Sequence, residues 1–139
     1  MTKTKEEYFF STGKRKKAVA RAKIEKGSGK ITVNSIPISV WGTEISRLWI
    51  KEPMELSGDV AKAADISVSV KGGGVSSQAE AARIAIARSL VKFSKDKKLK
   101  KTFMEFDRNM MVDDPRRTEV HKPSRSKQGP RRHKQRSKR

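Results

Sequence analysis

Few side chains in this chain of 139 residues are of a type that does covalent or metal chemistry. It has no cysteine, which removes thiol nucleophiles, disulfide frameworks and cysteine metal sites. The two histidines, His121 and His133, stand in a cationic run near the end, with nothing around them to fix an imidazole. A hydroxyl nucleophile elsewhere in the chain therefore has no base to activate it. Asp113-Asp114 could ligate magnesium, but with Pro115 directly behind it the pair reads better as a turn opener. No general acid–base pair can be assigned. The residues thus predict no enzyme, no catalytic residue, no metal site and no cofactor.

What remains is phosphate chemistry. Gly72-Gly73-Gly74-Val75-Ser76-Ser77 lies between a predicted strand and a predicted helix, where backbone N–H groups and a helix dipole can hold an anion. It lacks the Gly-Lys-Ser/Thr of a nucleotide P-loop. It loosely resembles the Gly-Ser-Ser loop of galactokinase–homoserine kinase enzymes, which need a second large domain that this chain cannot supply. Three glycines also permit a tight turn with no ligand, and an RNA-phosphate contact is the main functional alternative.

The charge bears on the partner. Lys and Arg number 34 against 15 Asp and Glu, a formal charge of +19. Such an excess bears on partners rather than on fold, and it points to a polyanion. It is also uneven. Residues 115–139 hold 11 basic side chains and one acidic, Glu119, whereas residues 1–114 hold 23 and 14. Val120 is the only aliphatic or aromatic residue of the last 25, so they cannot bury enough apolar surface to offset the entropy of ordering. The expected organisation is a globular RNA-binding domain, 1–114, followed by an extended basic tail, 115–139, ordered only on its partner. Within the domain, Lys14-Arg15-Lys16-Lys17 leads into a strand whose outer face carries Arg21 and Lys23, which suggests one positive surface. None of the eight aromatics lies in the tail, so phosphate neutralisation explains binding there better than base stacking.

Positioning those cations requires an α+β body. Residues 18–26 alternate, with Ala18, Ala20, Ala22 and Ile24 on one face, and with Ile31 and Val33 they predict a hairpin over 18–34 turning at Gly27-Ser28-Gly29. Tyr8–Ser11 offers an earlier strand. Residues 65–71 alternate cleanly, with Ile66, Val68 and Val70 inward. A short helix is expected over Thr43–Lys51, burying Ile45, Leu48 and Trp49 and ended by Pro53. A stronger helix should start at a Ser77–Glu80 capping box and bury Ala79, Ala82, Ile86, Leu90 and Phe93. Its opposite side carries a basic stripe of Arg88, Lys92 and Lys95. Lys97–Phe106 predicts another helix, with Leu99, Phe103 and Phe106 as its apolar side. The longest uncharged stretch, Ile31 to Thr43, is too short to span a bilayer, which takes about 20 apolar residues. The start has no secretory pattern, so a cytoplasmic location is the default expectation.

Gly13-Lys14-Arg15-Lys16 with Ala18-Val19-Ala20-Arg21-Ala22, then Gly27-Ser28-Gly29-Lys30-Ile31-Thr32-Val33-Asn34, resembles the opening of the universal small-subunit ribosomal protein nine family. Gly72-Gly73-Gly74 with Gln78-Ala79-Glu80-Ala81-Ala82-Arg83 and Ala85-Ile86-Ala87-Arg88 resembles its most specific block, and Asp114-Pro115-Arg116-Arg117-Thr118-Glu119 and Ser137-Lys138-Arg139 its later ones. Lys51-Glu52-Pro53 and Asp107-Arg108 look archaeal. The resemblance implies a sheet of about four strands with helices on one face, seated in the head of the small subunit against ribosomal RNA and neighbouring ribosomal proteins. It implies that Lys14, Arg15, Lys16, Lys17, Arg21, Lys23, Gly72, Gly73, Gly74 and Arg88 face RNA. Arg116, Arg117, Arg125, Arg131, Arg132 and Arg136 would line the tail's path, with Lys138 and Arg139 nearest the anticodon stem-loop of the transfer RNA in the peptidyl (P) site. The stretch His121–Gly129 departs from the family's usual tail pattern, so the register of residues 121–130 stays open. Two rivals also stand: a free-standing chromatin-like or RNA-chaperone protein, and a small kinase-like enzyme using the glycine loop.

Overall fold

A computed structural model describes residues 8–120. Its strands are β1 (Phe9–Arg15), β2 (Ala18–Lys26), β3 (Ile31–Val33), β4 (Ile36–Pro37) and β5 (Ala64–Lys71). Its helices are α1 (Glu44–Ser57), the single turn α2 (Asp59–Lys62), α3 (Val75–Ser94) and α4 (Lys97–Phe106), followed by a 3-10 turn at Arg108–Met110. The strands form one mixed sheet in the order β1-β2-β5-β3-β4. The α+β class is as expected, and the strand beyond the predicted four is the two-residue β4.

The alternating strands bury what their pattern requires. Ala18, Ala20, Ala22 and Ile24 are fully buried, and Ile66, Val68 and Val70 nearly so. Helix α3 lies across β1, β2 and β5 on this face. Small residues on both sides let the layers approach closely: Ala79, Ala81, Ala82 and Ala85 of α3 are fully buried. At Gly13 the approach reaches backbone, since a Cβ there would lie 2.3 Å from the Ala81 carbonyl oxygen and 2.7 Å from the Ala85 nitrogen. No helix among the described residues is long and apolar enough to cross a membrane.

Four expectations are corrected. Residues 18–34 do not form a hairpin, because β5 is inserted between its two arms. It pairs antiparallel with β2 (Ala22 opposite Val68) and parallel with β3 (Val33 opposite Val68). Asp65 at the head of β5 holds the crossing: its carboxylate accepts from the Ser28 and Lys30 backbone N–H groups at 2.7 and 2.9 Å. Those bonds keep its pKa below the ordinary carboxylate value. Pro53 does not end α1 but sits inside it, buried, on a core-facing line with Ser46, Ile50 and Ser57. Ile45 and Leu48 consequently point outward, 63% and 55% exposed. The Ser77–Glu80 capping box is not made. Helix α3 starts at Val75 behind Gly74 with no side-chain cap, because Glu80 ion-pairs with Arg15 instead. Phe106, predicted apolar-face, is 57% exposed, and Met110 fills the core beside Phe103 in its place.

Candidate nucleic-acid interface

Strands β1 and β2 are joined by Lys16-Lys17, with Arg15 opposite Ala18 and Lys16 in the left-handed region at φ 52°. The basic cluster is therefore a hairpin tip. Lys14, Lys16 and Lys17 are exposed. Arg15 is not: its side chain is 11% exposed and turned toward the helix layer, pairing with Glu80 and, at 3.2 Å, with Asp114.

The glycine turn packs on this tip. Gly72 and Gly73 adopt φ of +79° and +67°, and a Cβ on Gly72 would stand 2.4 Å from the Lys17 carbonyl oxygen. Turn geometry and close approach account for both. Gly74 needs neither, having a negative φ and open space for 4 Å around the place a Cβ would take. It is the N-cap of α3 and leaves that helix start without a side-chain cap.

Asp114 opens a turn, as its place before Pro115 suggests, its side chain accepting from the Arg116 backbone N–H two residues on. The chain runs without regular structure from Asp113 to Val120, and the carboxylates of Asp113 and Asp114 are both taken up by donors. Asp114, 6% exposed, accepts from the Arg116 guanidinium through both oxygens, at 2.6 to 3.0 Å, and from the Arg116 backbone N–H at 2.9 Å. Those bonds, with Arg15 beside them, hold its pKa far below the carboxylate range, and the same pairing raises that of Arg116. Arg117 donates to the Asp114 carbonyl at 3.0 Å. Among the described residues no group of three or more His, Cys, Asp or Glu converges on a metal position.

Two members of the basic stripe, Arg88 and Lys92, bond back onto β1, while Lys95 is the exposed C-cap of α3. Arg88 donates to the carbonyls of Thr12 (2.7 Å) and Met111 (2.9 and 3.2 Å), and Lys92 to the carbonyl of Phe10 (2.7 Å). Asp113 accepts from the Lys14 backbone N–H at 3.2 Å. Residues 10, 12 and 14 present their polar groups along the outer edge of β1, so these three side chains close the edge that a terminal strand leaves open. Deeper in, Arg83 bridges Glu52 of α1 (2.6 Å) and Asp107 (2.8 Å). It lines a cavity of about 350 Å³ with Arg15, Glu52, Glu80, Asp107, Asp114 and Arg116, where carboxylates outnumber guanidiniums. That balance suits a structural network and not an anion.

The cations facing outward lie on the other side of the sheet. Thr12, Arg21 and Ser69 stand in register across β1, β2 and β5, flanked on one side by Lys14, Val19 and Lys71 and on the other by Phe10, Lys23 and Ser67. Thr12, Arg21, Ser67, Ser69 and Lys71 are all exposed. Arg21, Lys14 and Lys71 make no side-chain ion pair among the described residues, whereas Lys23 meets Glu25 at 2.8 Å and the Tyr8 ring at 5.2 Å. Sequence reasoning placed Arg21 and Lys23 correctly on an outer face. It missed Lys71, whose strand pairing could have been inferred only by knowing that β5 lies beside β2, and it missed Tyr8 and Phe10, exposed on the same surface. Arg125, Arg131, Arg132, Arg136, Lys138, Arg139 and both histidines lie outside the described residues.

Comparison with known proteins gives the family. A family model described as ribosomal protein S9/S16 matches residues 13–139. The small ribosomal subunit protein uS9 of Thermoplasma volcanium is 49% identical over 110 residues, covering 79% of this chain and 83% of that protein. The proteins of the same name from Methanococcus vannielii and Methanococcus maripaludis are 42% and 41% identical over 127 residues, covering 91% of this chain and 95% of each.

Proposed function

The chain belongs to the ribosomal protein S9/S16 family and is a structural, non-enzymatic constituent of the small ribosomal subunit in the cytoplasm; we propose that it binds small-subunit ribosomal RNA in the head and that its basic tail reaches the P-site transfer RNA. The observation that carries the RNA reading is the division of the cations by the fold. Arg15, Arg83 and Arg88 are spent on internal carboxylates and carbonyls, while the exposed side chains of Lys14, Lys16, Lys17, Arg21 and Lys71 make no such pairing among the described residues, on one tip and one sheet face. Fixed cations of this kind neutralise phosphates and set position without reading sequence. Lys23, and the uncapped start of α3 at Gly74, extend that surface. In this reading Arg15 and Arg88 serve RNA by holding the hairpin tip and the β1 edge in place.

The tail supports the second half of the proposal by charge. Arg116 and Arg117 emerge beside the hairpin tip, where they line a cleft with Arg15 and Lys16. Arg125, Arg131, Arg132 and Arg136 continue the run, and Lys138 and Arg139 supply its last cations. Deleting residues 136–139 is expected to leave the protein in assembled small subunits and to weaken P-site transfer RNA binding. The salt dependence of that binding should fall by roughly two units in slope, at about 0.7–0.9 per phosphate contact. Unchanged affinity and slope would remove the transfer RNA from the proposal.

A further inference from the structure

The uncovered sheet face holds a feature that phosphate neutralisation does not use. Phe10 sits on the edge strand β1, 59% exposed, next to Thr12 along the strand and opposite Lys23 across it. Tyr8, 52% exposed, meets it edge to face with ring centroids 5.3 Å apart and planes at 73°. The Lys23 ammonium lies 5.2 Å from the Tyr8 ring centroid, so Tyr8 is braced from both sides and in turn fixes Phe10. On the same face, Thr12 and Arg21 form the next row of the register, and the hydroxyls of Ser67 and Ser69 follow on β5, one strand beyond β2. An exposed phenyl ring with one edge-to-face neighbour on a polar sheet face is poorly suited to water.

We propose that Phe10, braced by Tyr8, is a stacking platform for one unpaired base of the RNA that this face binds. The inference rests on the RNA-binding reading above and adds the base to it. Every base has a π-face, so stacking adds affinity without demanding a sequence. The neighbouring hydroxyls match base edges and the ribose 2′-OH, and Lys14, Arg21 and Lys71 match the flanking phosphates. Charge complementarity argues against an apolar protein surface as occupant, which would have to bury those three cations without partners.

The test uses the full chain and two labelled probes, a single-stranded oligoadenylate and an abasic oligonucleotide of equal length. Phe10→Ala should lower affinity for the oligoadenylate about tenfold. Affinity for the abasic chain and the salt slope should not change, since no charge is lost. Phe10→Trp should restore the affinity and Phe10→Leu should not, a comparison that stands even if the alanine variant folds poorly. An equal loss on both probes, or no loss on either, overturns the stacking role and leaves phosphate binding standing. A wild-type chain that binds neither probe would overturn the RNA reading as well.

Discussion

Asp114 shows how far one residue's surroundings decide its work. Its carboxylate is nearly buried, yet it meets two guanidiniums, Arg116 through both oxygens and Arg15 at 3.2 Å. The charged form is strongly favoured in the folded state, so its pKa is depressed there and ordinary when unfolded. The sign follows directly: the extra stability is fully present above about pH 4 and is lost as pH falls toward the depressed folded value. Asp65, whose carboxylate clasps the Ser28–Lys30 turn, is shifted in the same direction. In urea denaturation of the full chain between pH 7 and pH 2, Asp114→Asn should be less stable than wild type at neutral pH. It should also show a shallower decline in acid, with the remaining slope traceable to Asp65. An acid limb as steep as wild type would mean that the Asp114 ion pairs contribute nothing to folding. Because Arg15 forms one of those pairs, the hairpin tip and the start of the tail should loosen together.

At the scale of elements, helix α3 does two jobs on one side, with Arg88 and Lys92 seven residues beyond the buried Ala81 and Ala85. Its alanines seat it on the sheet, and Arg88 and Lys92 close the edge of β1. Arg88→Ala should therefore cost about 2 kcal/mol of stability, the scale of hydrogen bonds to a charged donor, and should leave the salt slope of RNA binding as it was. Arg21→Ala on the uncovered face should do the reverse, shifting stability by no more than about 0.5 kcal/mol while lowering the slope by about 0.7–0.9. Measuring unfolding and salt-dependent RNA binding on both variants separates the two roles, and a slope change in the Arg88 variant would return that side chain to the RNA surface. The same elements show what a sequence can disclose. The alternation in β2 and β5 was readable because one face is buried and the period is two. Their adjacency was not, because the partner that splits the β2–β3 pair lies some forty residues downstream and is held by two side chains, Asp65 and Asn34, besides the strand ladders. The buried face of α1 was unreadable for another reason: it is Ser46, Ile50, Pro53 and Ser57, and two serines and a proline carry no apolar signal. The cationic outer face of β2 was legible as charge, whereas the destinations of Arg15 and Arg88 depend on contacts 65 and 76 residues away in the chain.

On the scale of the whole molecule, charge and folding divide at a different point from the one that composition suggests. Composition changes at Pro115, but the folded network continues through Arg116 and Arg117, which clasp Asp114. Two truncations separate the effects. Removing residues 121–139 deletes nine basic side chains and no acidic one, whereas removing residues 115–139 deletes two more cations and Glu119. Two cations separate them, so their salt slopes for RNA binding should differ by at most about two units, at about 0.7–0.9 per phosphate contact. Their stabilities should differ more, because the longer deletion leaves nearly buried Asp114 with Arg15 as its remaining partner, and a carboxylate stripped of a bidentate guanidinium destabilises the fold around it. The shorter truncation is expected to unfold like the full chain and to leave small subunits at lower salt during washing. The longer one should show both a lower urea midpoint and the same early loss. Equal stability of the two would place the folding boundary at Pro115 and reduce the Arg116–Asp114 pair to a surface contact.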